Sequence, residues 1–277
     1  MRGGAALEAT AGHSTTRSDI MDGSHGVEQG PALSGRLPPL TFSASLRYDL
    51  VRRTLQELSG IESVLEIGAG EGAVGARLAQ SYRYVGVEPD QEASAVARTR
   101  VEPSGGQVVS GDVSALDPSA VFDLVCAFEV LEHVEHDAET LATWAARVRP
   151  GGWVMLSVPP FQRRFGPSDR AVGHFRRYEP EQMRDLLLGA GLREPRVLLY
   201  GFPIGYALDA AKNVLVRIAG ADGSQEELTA ASGRRFQPTE RLGSLITVLA
   251  TPFCLLQRPF HETRLGSGLV AVARTPA

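Results

Sequence analysis

The sequence predicts an α/β fold: a doubly wound, seven-stranded sheet with a helix before it and a helical insertion before its last strand. Three observations predict it. From Ser63 onward, short apolar runs alternate with amphipathic helical stretches, the pattern of a mainly parallel sheet covered on both faces. The first run passes straight into a glycine-rich turn, VLEIGAGEG. The next three runs stop at acids, Glu88, Asp112 and Glu129, at the edge where open α/β sheets bind ligands.

The elements follow in order. Residues 1–39 are rich in Gly, Ser, Ala, Thr and Pro without periodicity and read as a disordered tail. Either Met1 or Met21 serves as the start. The domain then runs over residues 40–277. From Ala44 to Leu58 the residues Leu46, Leu50, Val51, Leu55 and Leu58 fall on one helical stripe. SVLEIGA is the first strand and AVGARLAQ its helix; YRYVGVEPD is the second, followed by the helical QEASAVARTR. QVVSGD and FDLVCAFE are the third and fourth strands. ETLATWAARV is an amphipathic helix leading through RPGG to the fifth strand, WVMLSVP. After a polar loop comes the helix EPEQMRDLLLGAG, closed by Gly191. RVLLYG and the terminal GLVAVAR complete the sheet. Between them, residues 202–262 are too long for a hairpin connection and read as two apolar helices, Ile204 to Ala219 and Leu242 to Gln257, around a polar linker. The second carries Pro252 and is too short to span a bilayer. The insertion therefore suits an acceptor lid, a homodimer contact or a peripheral membrane contact.

Composition narrows the function. The 277 residues can bury a full core, and a net charge of -4 leaves no basic footprint for a nucleic-acid partner. Lys212 is the single lysine among the basic residues, a composition bias. Cys126 and Cys254 form neither a disulfide framework nor a metal-ligand spacing. Together with the lack of a signal-peptide pattern, that points to a reducing, cytoplasmic setting.

Gly68 and Gly70 sit where a strand meets a helix, so backbone can approach a ligand closely. Gly70, Gly72 and Gly75 also satisfy the GxGxxG of dinucleotide sites, which leaves an oxidoreductase open on this motif alone. Glu88, about twenty residues past the glycines, is placed to take ribose hydroxyls, and Asp112 to accept from an adenine amino group. Glu66, inside the motif, opposes a pyrophosphate but suits a ligand bearing an ammonium and a sulfonium.

The ordered series VLEIGAGEG, VGVEPD, GDV, FDLVCAFEVLEHV and RPGGWVMLSVP resembles the motifs of class I S-adenosylmethionine-dependent methyltransferases over about Ser63 to Leu192. The resemblance implies a Rossmann-like methyltransferase sheet. It implies that Glu66, Gly68 and Gly70 line the methionine end of S-adenosylmethionine, Glu88 the ribose and Asp112 the adenine, with Val113 and Phe128 beside them.

The segment EVLEHV carries the acceptor side. A helix beginning near Glu129 would set Glu129, Glu132 and His133 at i, i+3 and i+4, on one face. Those three with His174, from VGHFRRY, could hold a divalent cation, magnesium or manganese, with iron and zinc open as well. The same His133 or His174 could instead serve as a metal-free base, or the group could simply pack. Glu-x-x-Glu-His with a later loop histidine resembles the ubiquinone-biosynthesis O-methyltransferases and the small-RNA terminal 2′-O-methyltransferases. Both imply metal-assisted transfer to a hydroxyl, and the acidic balance disfavours RNA. The expected acceptor is a small molecule: a natural product, a glycoside, or a quinone or catechol. Arg163, Arg164, Arg170, Arg176 and Arg177 line the loop before the next helix, as a solvated face or as a clamp for an acceptor carboxylate or phosphate. Arg47 and Tyr48, on the first helix, are placed to cover the cofactor. N- or C-methylation and a non-catalytic binding module remain alternatives.

Overall fold

The computed structural model describes residues 37–219 and 240–277. The tail through residue 36 and the polar linker of the insertion lie outside them.

Helix α1 (Phe42–Glu57) starts at Thr41, whose hydroxyl accepts the Ala44 N–H at 3.1 Å, a side-chain cap for an otherwise orphan donor. Its buried stripe is Leu46, Leu50, Val51 and Leu55. The alternating units follow as β1 (Ser63–Ile67), α2 (Gly75–Leu78), β2 (Arg83–Glu88), α3 (Gln91–Val101), β3 (Gln107–Ser110), β4 (Phe122–Phe128), α4 (Asp137–Ala145) and β5 (Val148–Val158). After β5 come α5 (Pro167–Ala171), α6 (Pro180–Gly189), β6 (Arg193–Tyr200), α7 (Ile204–Ala219), α8 (Glu240–Leu256) and β7 (Gly268–Arg274). The strands form one sheet in the order β3-β2-β1-β4-β5-β7-β6. Only β7 runs antiparallel to its neighbours.

The seven strands, the N-terminal helix and the two inserted helices stand as the sequence predicts. Two details differ. The helix after β1 is a single short turn, and the polar loop after β5 contains α5. The close of α6 is a Schellman motif: Gly191, at φ 79°, donates to the Leu188 carbonyl and Leu192 to that of Leu187, at 3.0 and 3.1 Å.

Alternation along the strands builds a core on each face of the sheet. Leu65, Ile67, Val125, Ala127, Val154 and Leu156 face one side, with Leu141, Trp144, Met183 and Leu187 from the helices. Val64, Leu124, Cys126, Met155, Val270 and Val272 face the other, with Leu46, Leu50 and Leu78. Since side chains alternate with period two, Glu66 shares the second face with Val64 and Cys126. Helix α8 lies on α1, where Phe42 and Phe253 meet edge to face at 5.5 Å. Gln257 then locks the insertion in place. Its amide donates to the Leu46 carbonyl at 2.9 Å and accepts the Gly201 N–H at 2.8 Å. Among the described residues no helix is long and apolar enough to cross a membrane.

Candidate active site

The turn after β1 needs its glycines for two different reasons. Gly68, Gly70 and Gly72 all have positive φ, at 72°, 54° and 77°, a region that costs an L-residue about 1–2 kcal/mol. A Cβ on Gly68 would also lie 2.6 Å from Val130 Cγ2, whereas one on Gly70 would meet nothing within 4 Å. Gly68 is thus packed against the turn after β4, and Gly70 faces open space. Glu88, at the end of β2, ties this turn down. It accepts the Gly70 N–H at 2.7 Å and the Asp90 N–H at 3.0 Å, one on each oxygen. Burial raises its pKa, against the pull of those two bonds.

Asp112 is exposed beyond β3, and the Ser114 N–H and hydroxyl both donate to its Oδ1, at 2.8 and 2.6 Å. These bonds hold its carboxyl below the usual range. Val113 and Phe128 are buried in the two cores flanking the sheet. Glu66 is buried, and its Oε2 accepts the Tyr84 hydroxyl at 2.5 Å. Burial pushes its pKa up to about 7 even though the Tyr84 bond and Arg47 favour the ionised form. The Tyr84 ring fills the space that side chains at Gly75 and Gly86 would occupy, so Gly75 serves packing rather than a phosphate turn.

The acceptor side departs from the helix expected there. Glu129 has φ 59°, Leu131–His133 is one 3-10 turn, and α4 begins only at Asp137. Glu129, Glu132 and His133 therefore do not share a helical face: the chain must turn sharply off the buried β4, and a left-handed Glu129 makes that turn. Its Oε1 accepts from Ser157 Oγ at 2.7 Å and Tyr200 OH at 3.3 Å, with Arg47 Nη1 at 3.4 Å. Burial works to raise its pKa, but Arg47 and Ser157 outweigh it and hold the carboxylate ionised.

Glu132 lies in the 3-10 turn. It is fully buried, and neither oxygen has a hydrogen-bond partner among the described residues. Burial and the charge of Glu129 push its pKa well above the ordinary value. His133 Nδ1 is likewise buried without a partner, while the ring bonds the Gly173 backbone. Burial, and then the neighbouring His174, lower its pKa to about 4. His174 comes from the loop after α5. Its Nδ1 lies 3.0 Å from Asp169 Oδ1 and its Nε2 3.8 Å from Glu132 Oε1. Asp169 also accepts from Arg177 Nε at 2.8 Å, and these partners hold it at about 2 despite its burial. An ionised Asp169 can only accept, so His174 carries its proton on Nδ1 and turns the Nε2 lone pair toward Glu132. One ligand atom from each of Glu132, His133 and His174 lies within 4.8 Å of the others. An orphan carboxylate beside two bare ring nitrogens, each imidazole braced on its far side, fits a divalent cation. Glu129 stands outside this group, engaged with Arg47.

The loop arginines divide. Arg164 pairs with Asp209 at 3.2 Å and stacks on Tyr206, Arg176 pairs with Asp137 at 2.9 Å, and Arg177 is buried on Asp169. Only Arg163 and Arg170 are exposed. Tyr48 lies beneath Arg77, 5.7 Å from its ring centroid. Sequence reasoning missed Asp169, Asp209, Ser157 and Tyr200. Asp169 alone had a signal, five residues before His174.

Residues 43–194 match the methyltransferase domain family. The ubiquinone biosynthesis O-methyltransferase of Aromatoleum aromaticum is 36% identical over 124 residues, covering 43% of this chain and 52% of that protein. Its counterpart in Thiobacillus denitrificans is 38% identical over 101 residues, 35% and 44% of the two chains. The chain thus spans about half the length of the curated relatives it matches. Among solved structures, an S-adenosylmethionine-dependent methyltransferase of Thermotoga maritima superposes with a TM-score of 0.51 at 16% identity, over 84% of this chain and 91% of that one. A phosphoethanolamine N-methyltransferase of Haemonchus contortus, solved with S-adenosyl-L-methionine, gives 0.51 at 15% identity, over 83% and 53%. At these identities the likeness is one of fold.

Proposed function

The chain belongs to the methyltransferase domain family, and from that premise we propose that it transfers the methyl group of S-adenosylmethionine to a hydroxyl of a small quinone- or catechol-like acceptor, with a divalent cation at Glu132, His133 and His174. One observation carries the acceptor chemistry: a fully buried carboxylate without a partner, set between two imidazoles on the turn that packs against Gly68 through Val130. The relatives named as ubiquinone biosynthesis O-methyltransferases support a hydroxyl as the receiving atom.

The residues divide the work. Gly68 and Gly70 leave the backbone bare for the methionine end of the donor, and Glu66 supplies negative charge beneath it. Glu88, at the end of β2, would take the ribose hydroxyls, and Asp112, just beyond β3, the adenine amino group. Bound S-adenosylmethionine supplies a methyl on a positively charged sulfur. Glu132, His133 and His174 would hold the cation, which would supply the charge that lowers the pKa of an acceptor hydroxyl. The carbon–sulfur bond breaks as the carbon–oxygen bond forms, leaving S-adenosylhomocysteine, and the hydroxyl proton passes to solvent, since His174 has its Nδ1 protonated and its Nε2 in the ligand set. Glu129, locked by Arg47, Ser157 and Tyr200, shapes the floor. One carboxylate with two imidazoles suits manganese, iron or zinc better than magnesium.

A second reading rests on the Asp169–His174 pair, which is how a general base is oriented without a metal. Purified full-length protein with S-adenosylmethionine and caffeic acid, in EDTA and again with manganese, separates the two. Methylation that requires manganese and disappears in Glu132→Gln supports the metal reading. Undiminished methylation in EDTA overturns it for the base, and no methylation or S-adenosylhomocysteine binding under any condition overturns both.

A further inference from the structure

We propose that Asp209, on the inserted helix α7, is a positioning residue for the His174 imidazole, acting through Arg177 and Asp169. The inference deepens the reading above, since it names what holds one of that site's histidines.

Helix α7 docks on α5, the short helix that carries Asp169. Asn213 Oδ1 accepts the Ser168 N–H at 3.0 Å, and Asn213 Nδ2 donates to the Asp209 carbonyl at 3.0 Å. Asp209 and Asn213 are one turn apart and so share a face. From that face Asp209 Oδ2 approaches Arg164 Nη2 at 3.2 Å and Arg177 Nη1 at 3.8 Å. Arg177 Nη1 is buried and makes no hydrogen bond among the described residues. Among the described residues its counter-charge on that side is Asp209. The opposite side of the same guanidinium, Nε, donates to Asp169 Oδ1 at 2.8 Å, and that oxygen is the one His174 Nδ1 meets at 3.0 Å.

The guanidinium is a rigid fork, so its orientation is set by both carboxylates at once. Without Asp209, Arg177 has one anchor and a buried charge turned toward nothing. It is then repelled by Arg164, which has lost the same counter-ion, and swings away, and Asp169 loses the donor that fixes its rotamer. His174 is left free to exchange its Nδ1–H form for the Nε2–H form, which points a proton at Glu132 instead of a lone pair. A helix inserted outside the family match at residues 43–194 thereby takes part in forming the site.

The test reads the tautomer of His174 from its ring nitrogen shifts in ¹⁵N-histidine-labelled full-length protein, metal-free at pH 8, assigned by comparison with His174→Gln. The wild type is expected in the Nδ1–H form. Asp209→Asn, which keeps the shape and removes the charge, is expected to show a mixture and to bind manganese about tenfold more weakly, at the low end of what outer-shell partners contribute. Its affinity for S-adenosylhomocysteine should not change. An unchanged tautomer in Asp209→Asn overturns the proposal. If that variant does not fold, Arg177→Lys, which keeps the charge but loses the fork, decides by the same readout. Should the wild type bind no manganese, the metal reading fails while the tautomer measurement still judges Asp209.

Discussion

The imidazole of His174 stands edge-on to that of His133, with 4.6 Å between ring centroids and 84° between planes. One ring comes from the turn after β4 and the other from the loop after α5, so the contact exists only in the folded chain. Its geometry turns the unprotonated Nε2 of His174 and the unpartnered Nδ1 of His133 toward the same buried carboxyl, Glu132. Each imidazole is braced on its far side, but the atoms that face inward have no hydrogen-bond partner among the described residues at Glu132 and His133, the arrangement of a site built at the expense of stability.

That cost is measurable. Glu132→Met replaces the orphan carboxyl by an apolar chain of similar volume, removing a desolvation penalty of about 1–3 kcal/mol. In EDTA the variant should melt higher than wild type, by about 2–4 °C for each kcal/mol recovered. Manganese should stabilise the wild type and leave the variant unmoved, and methyl transfer should fall at least about a hundredfold, the scale of losing an outright ligand rather than its support. A variant that melts lower and keeps its activity would remove Glu132 from the site.

The glycines of the first turn separate binding from folding. Gly70→Ala adds a methyl into open space at φ 54°, so it should cost only about 1–2 kcal/mol of backbone strain. It should weaken S-adenosylhomocysteine binding by more than tenfold, because the methyl sits where the ligand approaches. Gly72→Ala meets Ala97 Cα and Val101 Cγ2, both at 2.9 Å. It should destabilise the fold by a further ~1–3 kcal/mol through overpacking. Calorimetric melting and isothermal titration on the two variants give the comparison. Equal losses of affinity and stability at both positions would mean that the turn is structural only.

The arginine loop makes a similar division. Arg177 is buried against a buried Asp169, and Arg177→Ala leaves that charge unpaired, a loss of about 3–5 kcal/mol. Arg163→Ala and Arg170→Ala, at exposed positions, should change stability by no more than about 0.5 kcal/mol. If either exposed change lowered the KM-dependent rate for an anionic acceptor without moving the melting temperature, the clamp reading of that residue would stand.

What could be read from sequence here was what depends on local pattern. The strands announce themselves because each holds a short apolar run, and the first four stop at a glycine or an acid. Gly191 closes α6 because a left-handed residue there needs no tertiary partner. The turn at Glu129 was not readable, since EVLEHV has good helical spacing. What breaks the helix is the pull of Ser157, Tyr200 and Arg47 on the Glu129 carboxylate, from three other elements. Likewise the five loop arginines look alike in sequence. Only the fold buries Arg177 between Asp169 and Asp209 and leaves Arg163 in solvent. The pairing of His133 with His174 was expected, but the residue that orients His174 was not, because Asp169 lies in a segment that reads as a polar loop.

The buried Glu66 makes the last prediction one of pH. Its folded pKa of about 7 lies above the ordinary 4.5, so the folded state holds the proton more tightly than the unfolded chain does. Its contribution to stability is complete below about pH 4.5 and is lost as pH rises to about 7, after which the ionised carboxylate is a constant burden. A ligand whose ammonium faces the ionised form reverses the preference. For such a ligand, affinity rises about tenfold between pH 6 and 8 when a single pKa near 7 is linked to binding. S-adenosylhomocysteine titrations across that range should show the rise in wild type. Glu66→Gln should flatten it and should lessen the loss of apo stability toward pH 7. If the wild-type affinity is level from pH 6 to 8, Glu66 does not meet the ligand, and its bond to Tyr84 is then its whole role: a buried acid that holds the hydroxyl of a packed ring.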